Sequence, residues 1–108
     1  MAQWREILHP TDVFLIDDLM NLEDSPPSQT TIDALISMLV KLHYAEIPRS
    51  RYIADDSKGN VYLSWDRAFL FYSAKNKHWT MRINNEKTTE EPDIIVTKLE
   101  GLFKRKLA

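Results

Sequence analysis

The side chains of this sequence able to do chemistry are spaced too far apart to form a recognised catalytic or metal-binding pattern. His9, His43 and His78 stand well apart, and none has the HExxH or His-x₃₋₅-His spacing that places two imidazoles on one metal. His43 and Glu46 lie one helical turn apart and could pair, but they read as structural residues at a helix end. Asp55-Asp56-Ser57-Lys58-Gly59-Asn60 has a superficial likeness to a calcium loop. Its glycine comes fifth rather than sixth and Lys58 adds a positive charge, so it reads as a hairpin turn. The adjacent carboxylates Asp17 and Asp18 would point about 100° apart on a helix and so do not converge on one substrate.

Absent residue types narrow the options further. Without cysteine there is no thiol nucleophile, no thiolate metal site and no disulfide. Gly59 and Gly101, the only glycines, cannot build a P-loop or a dinucleotide fingerprint, both of which need several close glycines to admit phosphate to the backbone. The expectation is a chain with no catalytic residues, no metal and no cofactor. His78 with Thr80 or Ser64 is the one cluster that an enzyme with an unrecognised site could use.

The better-populated candidate is one face of a sheet. Val61, Leu63 and Trp65 alternate with Asn60, Tyr62 and Ser64, and Trp79, Met81 and Ile83 alternate with His78, Thr80 and Arg82. If the apolar sets point inward, Tyr62, Ser64, His78, Thr80 and Arg82 point outward, joined by Tyr72 and by Arg51 or Tyr52. Tyrosine and arginine favour interfaces because they bury area while satisfying a polar end. The leading reading is a small non-enzymatic protein-interaction module, in one version self-associating as a homodimer, that binds through Tyr62, Tyr72, His78, Arg82 and Arg51. One alternative is a nucleic-acid binder, with Tyr62 and Tyr72 as stacking platforms and Arg51, Arg82 and Lys104-Arg105-Lys106 on phosphates; the acidic balance argues against it. The other is the enzyme near His78.

The elements that must position this face follow from periodicity. Thr11 and Asp12 offer an N-cap before Val13, Ile16, Leu19 and Met20, which predicts a helix from Asp12 to Leu22. Pro26-Pro27 separates it from a second helix. That helix is capped by Ser28, Thr30 or Thr31 and carries Ile32, Leu35, Ile36, Leu39, Val40 and His43 on one face. It ends between Tyr44 and Ile47, before Pro48, and is expected to be the central helix. Arg49 to Asp55 supplies a weak first strand. Ala68 to Ser73 is apolar throughout, as suits a central strand that is covered on both sides or uses its outer face for contact. Short connections at Asp56–Gly59, Asp66-Arg67 and Ala74–Lys77 predict a meander of neighbouring antiparallel strands. Pro92 opens a last helix bearing Ile95, Leu99, Leu102 and Phe103, which Gly101 would weaken by up to ~1 kcal/mol.

The expected fold is therefore α+β in one domain over residues 1–108: two N-terminal helices, a four-stranded antiparallel meander and a C-terminal helix packed on one face of the sheet. At 108 residues, 44% hydrophobic and 28% charged, the chain has the composition of a globular protein. Its charge is polarised: residues 1–40 carry seven acids and one base, whereas the remainder is net basic within a total of −2. Apolar runs such as Val13 to Ile16 and Ala68 to Tyr72 are far short of the ~20 residues that span a bilayer. The first residues lack the basic start and apolar stretch of a signal peptide, which makes a cytoplasmic location the expectation, with no membrane partner. The helix followed by Ile47-Pro48 and then Asp56 through Trp65 resembles a helix-then-hairpin arrangement of small bacterial proteins. That likeness covers about a third of the chain and implies no activity.

Overall fold

The computed structural model describes residues 3–105. In chain order its elements are α1 (Trp4–Ile7), α2 (Pro10–Met20), α3 (Gln29–Tyr44), β1 (Tyr52–Asp55), β2 (Val61–Ser64), β3 (Ala68–Ser73), β4 (His78–Ile83), β5 (Glu86–Glu90) and α4 (Pro92–Arg105). The α+β class and the meander stand. The element count differs from expectation at both ends: α1 adds a helix before the expected two, and β5 adds a fifth strand. Lys106, part of the basic C-terminal run, lies outside the described residues.

Local chemistry sets the helix boundaries. The cap of α2 is His9 rather than Thr11 or Asp12: its backbone is extended, its Nδ1 accepts the Thr11 N–H at 3.0 Å, and Pro10 fills the first helical position, where a missing N–H costs nothing. Asp12 is thereby placed in the first turn and turned inward, 5% exposed. There it receives Nε and Nη2 of Arg49 at 3.2 and 2.9 Å, and this hydrogen bonding raises the Arg49 pKa above its usual value. Ser28 caps α3, its Oγ accepting the Thr31 N–H at 3.2 Å. The helix ends in a Schellman arrangement in which Ile47 N–H reaches Leu42 O at 3.0 Å and Glu46 N–H reaches His43 O at 3.0 Å. Residue 46, usually a glycine in this motif, is a glutamate at φ 59°.

The sheet order is β1-β2-β3-β4-β5, antiparallel throughout. The fifth strand was not legible because Glu86-Lys87-Thr88-Thr89-Glu90 has no apolar alternation. It forms because Asn84 and Asn85, at φ 50° and 70°, make the two-residue turn with both central residues left-handed that suits the twist of a hairpin. At the opposite end of the sheet the Asp56 carboxylate accepts N–H groups of Lys58 and Asn60 and the Asn60 side-chain amide. Asn60 Oδ1 in turn accepts the Ala74 N–H at 2.8 Å, tying the β1–β2 turn to the β3–β4 turn.

Val61, Leu63, Leu70, Trp79 and Met81 on the inner face meet Ile16, Leu35, Met38, Ile95 and Leu99 from the helices in one buried cluster. Helix α3 is central as expected, packing against α1, α2, α4 and β3. Its His43 is exposed rather than on the buried face. Among the described residues no helix is long and apolar enough to cross a membrane.

Candidate interaction face

Directly opposed residues of an antiparallel pair share a face, so the register fixes which side chains leave the core. One outward row runs Tyr52, Ser64, Phe69, Arg82, Lys87, and the next runs Ala54, Tyr62, Phe71, Thr80, Thr89. Ser73 and His78 form a third, shorter row. Strand and turn residues alone line a shallow groove of about 470 Å³ on this face, with Phe69 and Phe71 along one side, Arg82 and Lys87 at one end, and Ser73, Asn76 and His78 at the other.

Of the expected site residues, Tyr62, His78 and Arg82 are on this face. Tyr72 is not: it is 5% exposed, lies opposite Val61 and Trp79, and packs its ring 5.2 Å from the Trp79 ring in the core. The uniformly apolar sequence of β3 hides its parity, and the phenol suggested the wrong side. The turn does reveal it: Trp65 N–H donates to Ala68 O at 2.8 Å across Asp66-Arg67, so Ala68, Leu70 and Tyr72 share the inward side with Trp65. Arg51 is also displaced. It sits at the rim, its guanidinium bonded to the Asp66 carboxylate, a hydrogen bond that raises its pKa, while its neighbour Tyr52, 62% exposed, takes the outward position.

The residues missed from the sequence are Phe69, Phe71, Lys87 and Thr89. Phe69 and Phe71 are half-buried, and Tyr62 stacks on Phe69 with ring centroids 5.4 Å apart at 30°. Ala68–Ser73 is not covered on both sides: burial alternates along it, and among the described residues no helix lies over Phe69 and Phe71. No outward strand position carries a carboxylate: Glu86 and Glu90 fall on the inner parity of β5, and Glu90 pairs with Lys98 of α4. Arg82 and Lys87, both exposed, therefore oppose each other directly without a counter-charge among their outward neighbours.

His78 does not form a dyad with either hydroxyl. Its Nδ1 is buried with no hydrogen-bond partner, Thr80 Oγ1 lies 3.3 Å from Thr89 Oγ1, and Ser64 is two strands away. Among the described residues no three His, Asp or Glu side chains are grouped to hold a metal. A second cleft, about 510 Å³ between α2, the end of α3 and Trp65, contains Asp12 and Arg49, but these neutralise each other. Comparison with protein-family models, curated proteins and solved structures gives no match.

Proposed function

We propose that this chain is a non-enzymatic protein-interaction module that binds through the open face of its sheet. The observation that supports this reading is the unopposed Arg82–Lys87 pair next to Tyr62, Phe69 and Phe71, on a face that no helix covers among the described residues. Like charges directly opposite on adjacent strands destabilise a sheet, and half-exposed aromatics gain little until a partner excludes water from them. Both features become favourable together when a partner supplies apolar area and negative charge.

A photocrosslinking amino acid placed at Phe71 in the native cell tests the reading, with the same group at exposed Ser37 on α3 as the comparison. Position 71 should give a discrete protein adduct that Ser37 does not and that Arg82→Glu abolishes. Identical adduct patterns from both positions would refute it.

The same combination of aromatics and cations supports a second reading, single-stranded nucleic acid stacked on Tyr62 and Phe71. Binding of oligo(dT) at low salt that weakens steeply as salt rises would favour it over the first.

A further inference from the structure

We infer that the partner of the open face is an acidic peptide segment carrying an apolar side chain, an inference that rests on the interaction reading above. The groove is asymmetric in a way that specifies such a ligand. Phe69 and Phe71 offer a half-buried apolar wall, and Arg82 and Lys87 close one end with two adjacent cations. A carboxylate at that end would relieve the repulsion between the two cations, and the guanidinium suits it because its planar fork matches carboxylate geometry. The hydroxyls of Thr80 and Thr89 lie in the row next to the cations, opposite Phe71, where they can serve a peptide backbone.

Two other occupants fit less well. A second copy docked face to face about a twofold axis would set this surface against its own copy, which has no outward strand carboxylate to offer the two cations. A nucleic acid is held by many phosphate contacts, on the order of six to ten in strong complexes, whereas two cations end this groove and the whole chain is net −2. Two cations are enough for one or two carboxylates. Arg51, at the rim beside Tyr52, is already paired with Asp66.

Selection of random displayed peptides on the full-length protein tests the inference, with Phe71→Ser and Arg82→Glu/Lys87→Glu as counter-selections and the melting temperature of each variant measured alongside. The expected pool is enriched in Asp and Glu flanking an aromatic or aliphatic residue. Its members should bind the Arg82→Glu/Lys87→Glu variant at least about tenfold more weakly, retain affinity for Arg82→Lys better than for Arg82→Gln, and weaken as salt rises. Neutral or basic peptides that still require Phe71 would overturn the acidic class while leaving the interaction face intact. A pool indifferent to both Phe71 and Arg82, or no enrichment above the variants, would overturn the face itself. Oligo(dT) competing with the peptides and binding more tightly would replace the peptide with a nucleic acid.

Discussion

Arg82 and Lys87 face each other across β4 and β5 as a direct cross-strand pair of like charge, exposed and without an outward carboxylate beside them. The fold gives up stability at this point, because an opposite charge at either position would help the sheet. Lys87→Glu should therefore raise stability by about 0.2–1 kcal/mol in urea unfolding at low ionic strength, with the gain fading as salt screens the new pair. A stability unchanged or lowered by this substitution would show that the pair is not repulsive.

Arg49 and Asp12 are unequal partners, since the Asp12 side chain is 7% exposed and that of Arg49 is 42% exposed. Removing the arginine leaves a buried carboxylate uncompensated, whereas removing the carboxylate leaves a guanidinium that water can reach. Arg49→Ala should cost roughly 2–4 kcal/mol and Asp12→Ala roughly 1–2 kcal/mol, measured by chemical unfolding. Arg49→Lys should recover only part of the loss, because it cannot reproduce the two-point contact made by Nε and Nη2.

Acid should weaken the β1–β2 turn. At Asp56 partial burial acts to raise the carboxyl pKa, but the Asn60 side chain and the N–H groups of Lys58 and Asn60 outweigh it, and the net shift is downward from 3.8. Asp17 is lowered too, first by its hydrogen bonds from Arg5. Depressed carboxyl groups stabilise the folded state above their unfolded pKa, and that stabilisation is lost as pH falls through the lower folded value. Wild-type stability should therefore drop below about pH 4, and Asp56→Asn should be less stable than wild type at pH 7 but approach it at pH 3. Thermal melts across that range distinguish this from a pH-independent deficit.

Two helix positions can be improved. Gly101 lies exposed inside α4, and a methyl group there meets nothing within 4 Å, so the glycine serves no close packing. Gly101→Ala should stabilise by up to about 1 kcal/mol. Glu46 holds a left-handed conformation at the end of α3 that glycine adopts without steric cost, and Glu46→Gly should gain about 0.5–1 kcal/mol. Melting temperatures of the single and double variants should add, because the two sites belong to different helices.

Neighbouring aromatics of β3 should behave oppositely. Tyr72→Ala opens a cavity in the core and should cost about 3–5 kcal/mol, whereas Phe71→Ser, on the uncovered face, should cost less than about 1.5 kcal/mol. Equal losses at the two positions would contradict the register.

This last contrast marks where sequence reading failed. Elements with a strong period or a distinctive break were legible: Ser28 before the apolar face of α3, the alternation around Trp65 and Trp79, and Pro92 at the start of α4. Three features were not. Helix α1 has four residues, too few to display a period. Strand β5 is polar on both sides, and its signal was the Asn84-Asn85 turn rather than its own composition. Strand β3 is apolar on both sides, so only the pairing of Trp65 with Ala68 across a two-residue turn assigns its faces.

By itself the sequence determined the class of fold, the order of the main elements and the absence of thiol chemistry, because these depend on residue types and on periods within single segments. Tertiary pairing alone decided the composition of the candidate site. It moved Tyr72 into the core and Arg51 to the rim, and brought Phe69, Phe71 and Lys87 beside Arg82. The physical reason is that a residue's face in a sheet is a property of register, which is set between strands and, for a segment apolar or polar on both sides, cannot be read from that segment alone.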